Sequence, residues 1–410
     1  MHTRGIAVLL MVVACAGCKT TAPRREKQTF AGDVAFLQKH TDVVVLQDRS
    51  GKSQVAVLPR MQGRVMTSTA EGADGYSFGW INRELVASGK TVEHINVYGG
   101  EDRFWIGPEG GQFSVFFKKG VPFDLEHWFT PAAVDTEPWE LVSKSSHSAA
   151  LRKTMRLQNY SDAVFDVRVD REVRVLSRGE ALKSLGLSAG PKVNVVAYES
   201  SNRMTNAGKE AWADQTGRLS IWILGMFTPS PRTTIVVPFN MGPEDKLGPA
   251  VNDAYFGKVP ANRLVVRDGI LFFSGDGQYR SKIGLSPMRA KNVLGSYDAA
   301  NKALTIVQYN KPDGVLDYVN SMWQLQDAPY RGDTVNSYND GPPAPGAKPM
   351  GPFYELETSS PAAALAPGQS ILHTHRTFHF KGSEDELDAI SRKMLGVSIK
   401  EIESALPRGA

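Results

Sequence analysis

Strand-length runs separated by turn residues are the feature that most restricts how this chain can fold. Residues 43–47, 54–58, 64–69, 112–118, 151–157, 164–175, 193–198, 219–224, 233–238, 270–273 and 304–309 alternate apolar with polar or run apolar, with turn residues between them. Helical patterns are sparse. Residues 178–185 read as a short connecting helix, Ser383 opens a capping-box spacing with Glu386, and Ser398 repeats it with Glu401. Many consecutive strands with few helices argue against a parallel α/β sheet. They predict an all-β chain of large antiparallel sheets packed as a sandwich, with short peripheral helices at the C-terminus. No second linker interrupts residues 31–380, so one sandwich domain is expected there, with 381–410 as a helical tail packed on it.

The first residues follow another grammar. Within residues 1–18 a single Arg4 precedes an apolar run over 6–14, and small residues lead into Cys15 and Cys18. This is the layout of a bacterial export signal, and the run is too short to span a membrane. Val12-Val13-Ala14 before Cys15 fits a lipoprotein cleavage box, whereas Ala16-Gly17 before Cys18 fits only its last two positions. One of the two cysteines is therefore the expected lipidation site. They are the only cysteines in the sequence, so the body has none with which to form a disulfide. Residues 19–30 are polar, basic and proline-bearing, as a tether would be. The expected location is the bacterial cell envelope, on the membrane through an N-terminal lipid. Loss of Arg4 lowers the formal net charge of +4 by only one, which gives no reason to expect nucleic acid as a partner.

Residues 353–380 gather the most chemistry. Strand alternation puts Phe353, Glu355 and Glu357 on one face. Ser359-Ser360-Pro361 ends that strand, and Pro367-Gly368 offers a type II turn. The returning strand lines His373, His375, Thr377 and His379 along one face. No companion ligands accompany the histidines, so a solvated or rim-facing strand is expected there and no metal. Glu357-Thr358-Ser359, Pro361, Leu365, Pro367-Gly368 and Phe380 resemble the C-terminal signature of the galactose mutarotase (aldose 1-epimerase) superfamily. Ser359 stands where that signature carries Gln, and the gap to Pro361 is one residue shorter. The resemblance implies a galactose mutarotase-like β-supersandwich, in a bacterial lipoprotein branch of that superfamily. It also implies a saccharide ligand and Glu357 as the general base that takes the anomeric hydroxyl proton.

Residues 96–117, NVYGGEDRFWIGPEGGQFSVFF, form the second informative stretch. Its glycines allow tight turns between which Glu101, Asp102, Arg103, Trp105 and Glu109 can converge on a ligand. No Lys-Ser/Thr follows the glycine pairs, so a nucleotide site is not expected, and no cofactor is implied. Arg103 suits a forked contact to an anionic group on a sugar, or an internal pair with Glu101, Asp102 or Glu109. Trp105 suits a platform for a sugar ring, while Trp80, Trp128, Trp139 and Trp222 read as core. Asn336, Asn339 and Asp340-Gly341 read as turn chemistry and not as a calcium loop.

The resembled family carries His-Gly-Gly in this early region, where Tyr98-Gly99-Gly100 stands here. Its second histidine belongs to an Asn-His-x-Tyr-Phe-Asn string, and residues 198–206, YESSNRMTN, contain asparagines but no histidine. The acid that would partner Glu357 therefore has only His127 and Tyr98 as candidates. A phenol with a pKa of roughly 10 donates poorly at neutral pH. The expectation is a lipid-anchored carbohydrate-binding protein with weak or no epimerase activity, in which Glu357, Glu355, Arg103, Trp105 and Glu109 share one pocket. The alternative is an aldose 1-epimerase-like or other sugar-modifying enzyme using Glu357 as its base.

Overall fold

The computed structural model describes residues 29–187 and 192–407; Cys15 and Cys18 lie outside the described residues. The strands in chain order are β1 (Val44–Gln47), β2 (Gln54–Leu58), β3 (Arg64–Thr69), β4 (Arg103–Gly107), β5 (Glu140–Lys144), β6 (Ser148–Gln158), β7 (Val164–Val175), β8 (Asn194–Asn206) and β9 (Ser220–Phe227). They continue with β10 (Thr233–Pro238), β11 (Leu264–Arg267), β12 (Ile270–Ser274), β13 (Ser281–Leu285), β14 (Val293–Asp298), β15 (Ala303–Tyr309), β16 (Val335–Asn339), β17 (Tyr354–Ser359) and β18 (Ser370–Lys381). The α-helices are α1 (Phe30–Gln38), α2 (Arg83–Ser88), α3 (Arg178–Ser184), α4 (Glu244–Leu247), α5 (Glu384–Leu395) and α6 (Ile399–Ser404).

The fold class is the predicted one, large antiparallel sheets with short helices. A ten-stranded sheet runs β11-β12-β10-β14-β15-β18-β8-β7-β6-β5, and a five-stranded sheet runs β13-β16-β17-β9-β4; β1-β2-β3 form a small third sheet. Directly opposed residues of an antiparallel pair share a face, and the registers divide the five-stranded sheet cleanly. Its inner face presents Ile283, Val335, Tyr354, Leu356 and Phe227, which join Ile235, Leu271, Phe273, Leu294 and Val307 of the ten-stranded sheet in one apolar core. Its outer face carries the cavity described below. On the far side of the ten-stranded sheet, Phe378 and Phe380 pack with Leu387, Ile390, Ile399 and Ile402 of α5 and α6. Both terminal helices start as the sequence predicts. Ser383 accepts from the Glu386 amide, and Ser398 with Glu401 forms a complete capping box.

Three local expectations are corrected. Residues 112–118 form turns and not a strand, while the glycine-rich stretch before them contains β4. Asn336 and Asn339, expected as turn chemistry with Asp340-Gly341, belong to the strand β16, which is paired on both sides by β13 and β17. The histidine row of β18 is neither solvated nor at a rim: His373, His375 and His379 are buried between the sheets. Thr358 of β17 meets His373 Nε2 at 2.8 Å and His375 Nδ1 at 2.9 Å, and His379 Nε2 lies 3.0 Å from Glu101. The 366–369 turn forms as expected, with the Gln369 amide donating to Ala366 and Gly368 at φ +79°.

Candidate functional site

Three cross-strand rows pave the outer face of the five-stranded sheet. One row is Lys282, Tyr338, Glu355 and Met226; the next is Asn336, Glu357, Leu224 and Arg103; the third includes Trp222 and Trp105. Loops supply walls above them. His94, Glu109, Trp128, Phe256, Arg280 and Trp323 join Arg103, Trp105, Trp222, Lys282, Tyr338 and Glu355 around a cavity of about 350 Å³. That size falls within the usual range for small-ligand sites, and four tryptophans with a few charged groups are the expected composition of one.

The glycines before β4 bring its strand into place. Gly99 and Gly100 adopt φ of +99° and +117°, and a Cβ on Gly99 would stand 2.0 Å from the Trp80 carbonyl oxygen. A side chain at Gly99 therefore has no room. From there β4 projects Arg103 and Trp105 outward while Phe104 and Ile106 enter the core.

Arg103 with Glu355 and Lys282 with Glu357 are paired and buried. Arg103 makes an ion pair with Glu355 and lies over the Trp105 ring, 5.3 Å from its centroid. Glu357 is fully buried; Trp222 Nε1 donates to it at 2.9 Å, and Lys282 Nζ stands 3.2 Å away. Trp222 and Lys282 both line the cavity and close over Glu357, which does not line it. Burial pushes the Glu355 carboxyl up to about 8, opposed by Arg103 and reinforced by the charge of Glu357. Burial raises Glu109 too, against the pull of Lys282. Burial would lower the Lys282 ammonium, but Glu357, Glu109 and Glu355 outweigh it and hold it above its ordinary value. Among the described residues, no group of three or more His, Cys, Asp or Glu is placed to hold a metal ion.

The profile of the family of unknown function DUF6786 matches residues 28–406. The chain belongs to that family. No curated protein matches this DUF6786 chain. Among solved structures, the Slr1438 protein of Synechocystis sp. PCC 6803 is 12% identical with a TM-score of 0.50, over 83% of this chain and 96% of that one. A putative aldose 1-epimerase of Escherichia coli K12 is 15% identical with a TM-score of 0.48, over 83% and 99%. A galactose mutarotase-like protein of Lactobacillus casei ATCC 334 is 11% identical with a TM-score of 0.47, over 82% and 100%.

Of the residues singled out in the DUF6786 sequence, Arg103, Trp105, Glu109 and Glu355 line the one cavity. Glu357 sits on the same face beneath Trp222, whose ring centroid is 5.5 Å from that of Trp105. His127 and Tyr98 do not line the cavity. His127 is held in its loop by Asp124, with Nδ1 at 2.7 Å, and Tyr98 packs with Leu37, Leu58 and Met66. Glu101 and Asp102 also turn elsewhere: Glu101 accepts from Ser68, Tyr198 and His379, and Asp102 pairs with Arg171. Trp128 and Trp222, expected in the core, are cavity walls as well, and Lys282, Arg280, Phe256 and Trp323 were not foreseen. The one sequence signal for Lys282 is its alternation with Ile283 and Leu285, which puts it on the face opposite to theirs.

Proposed function

We propose that this protein binds a saccharide in the tryptophan-walled cavity, with weak or no epimerase activity. The carrying observation is the cavity's composition: Trp105, Trp128, Trp222 and Trp323 beside Arg103, Lys282, Glu109 and Glu355. Flat aromatic faces suit the apolar C–H surfaces of a pyranose, and the charged groups suit its hydroxyls. Glu357 of the mutarotase-like motif falls on the cavity's sheet face, which supports the same ligand class.

The electrostatics explain why turnover would be poor. Glu357 as base needs an acid within reach, and its nearest cation is Lys282. An ammonium held above its ordinary pKa surrenders its proton reluctantly at neutral pH. One observation keeps the enzymatic alternative in play, with Glu357 as general base. Its Oε1 is buried without a hydrogen-bond partner among the described residues.

Intrinsic fluorescence should decide binding, since four tryptophans surround the site. Titration with D-glucose, D-galactose and D-mannose should shift the emission, and Trp105→Ala should weaken the response; no response to any sugar would end the saccharide reading. NMR of anomer exchange separates the two alternatives. Fast exchange abolished by Glu357→Gln would make the protein an epimerase, because that change removes the carboxylate and keeps its size.

We also propose that Cys15 or Cys18 carries a lipid that holds the protein to a bacterial membrane, on the strength of the cleavage-box spacing. Replacing both should release it into the soluble fraction, and retention under high salt would refute the anchor.

A further inference from the structure

Arg280 stands apart from the other cations of the cavity. Arg103, Lys282 and Arg280 each lie over a ring, those of Trp105, Trp222 and Phe256, at 5.3, 4.7 and 3.8 Å. The first two have carboxylate partners in Glu355 and Glu357. Among the described residues Arg280 forms no ion pair or hydrogen bond through its guanidinium. Asp340 and Glu109 feel its charge from a distance, and both remain raised by burial. Phe256 beneath it is 39% exposed, so the pair marks the mouth and not the floor. A guanidinium stacked on an aromatic ring, with its fork unfilled, is a ready receptor for a planar anion.

The charge balance points the same way. Three cations, Arg103, Lys282 and Arg280, line the cavity beside two carboxyl groups, those of Glu109 and Glu355, and of the three only Arg280 is without an ion-pair partner among the described residues. The shape of the receptor separates two kinds of anion. A phosphate dianion is best served by several converging donors, whereas Arg280 has the apolar neighbours Phe256 and Met350 in the cavity wall. A single fork matches a monoanionic carboxylate.

We propose that the cavity is specific for saccharides carrying a carboxylate, with a uronate's acid group on Arg280 and its ring against the tryptophan wall. This rests on the saccharide-binding reading and narrows it. The test is calorimetric titration of the full chain with D-glucuronate, D-galacturonate and D-mannuronate, each beside its neutral hexose and the hexose 6-phosphate. At least one uronate should bind about tenfold to a hundredfold more tightly than its neutral counterpart, the range expected for one charge-assisted contact. The advantage should shrink with added salt. In Arg280→Gln the ratio of uronate to hexose affinity should fall to about one, and Arg280→Lys should retain part of it. Equal affinities for uronate and hexose in the native protein would overturn the inference while leaving saccharide binding standing. So would a ratio that survives in Arg280→Gln, or a preference for the 6-phosphate over every uronate. If no sugar of any charge binds, both readings fall together.

Discussion

Lys282 governs the electrostatics of the cavity floor, since its ammonium stands against Glu357 and also feels Glu109 and Glu355. Lys282→Met would keep an apolar stem over Trp222 but leave a fully buried carboxylate without its counter-charge. Removing one member of a buried pair costs about 3–5 kcal/mol. Urea unfolding of Lys282→Met should show a loss of that size, and adding Glu357→Gln should restore part of it, because an amide needs no cation. If the two losses simply add, the pair is not coupled and its assigned role is wrong. The sequence made part of this legible. Alternation put Glu355 and Glu357 on one face, and the ion-pairing capacity of Arg103 was evident. Its partner was not among the neighbouring acids Glu101, Asp102 and Glu109, because β4 turns Arg103 toward β17 while Glu101 and Asp102 enter the interior. Local spacing says which side chains share a face, and the register of strands distant in sequence says what they meet.

At the scale of elements, β17 and β18 are joined across the sandwich by one hydroxyl. Thr358 Oγ1 lies between His373 Nε2 and His375 Nδ1, so it donates to one ring and accepts from the other. Burial lowers these histidines to about 3 and about 4, and both rings are neutral near pH 7. Thr358→Val keeps the shape and orphans two buried ring nitrogens. At about 1–3 kcal/mol for each unsatisfied group, a loss of about 2 kcal/mol or more is expected in denaturant unfolding; a change within about 0.5 kcal/mol would mean the rings find other partners. The period of β18 was readable from its sequence, yet its orientation was not. Both faces mix polar and apolar residues, and only α5 and α6 covering Phe378 and Phe380 decide that the histidines face inward. The same limit hid β16, whose Asn336 and Asn339 are turn formers by habit. Pairing on both sides overrides that habit, and the Asn339 side chain is satisfied by the Gly277 amide and by Asp276.

Across the whole molecule, buried ionisable groups set opposing slopes on stability against pH. Burial raises Glu355 from 4.5 to about 8 and Asp340 from 3.8 to about 6, and it raises Glu109, Asp135 and Asp333 as well. A carboxyl with a raised pKa binds more protons folded than unfolded. Its favourable contribution is therefore full below the unfolded value and is lost as pH climbs through the folded one. His373 and His375 act in the other direction. Their folded values lie below the unfolded 6.5, so their contribution is present above that value and disappears as pH falls towards about 4 and 3. The carboxyl limb therefore weakens the fold as pH rises towards about 8, and the histidine limb weakens it as pH falls below 6.5. Glu355→Gln discriminates between causes of the alkaline limb, since it retains the side chain's size but cannot ionise. Melting curves collected from about pH 4 to 9 should show that limb flattened in the variant and the acid limb unchanged. Stability that rises steadily to pH 9 in the native protein would mean that Glu355 is ionised throughout and that Arg103, not burial, controls it.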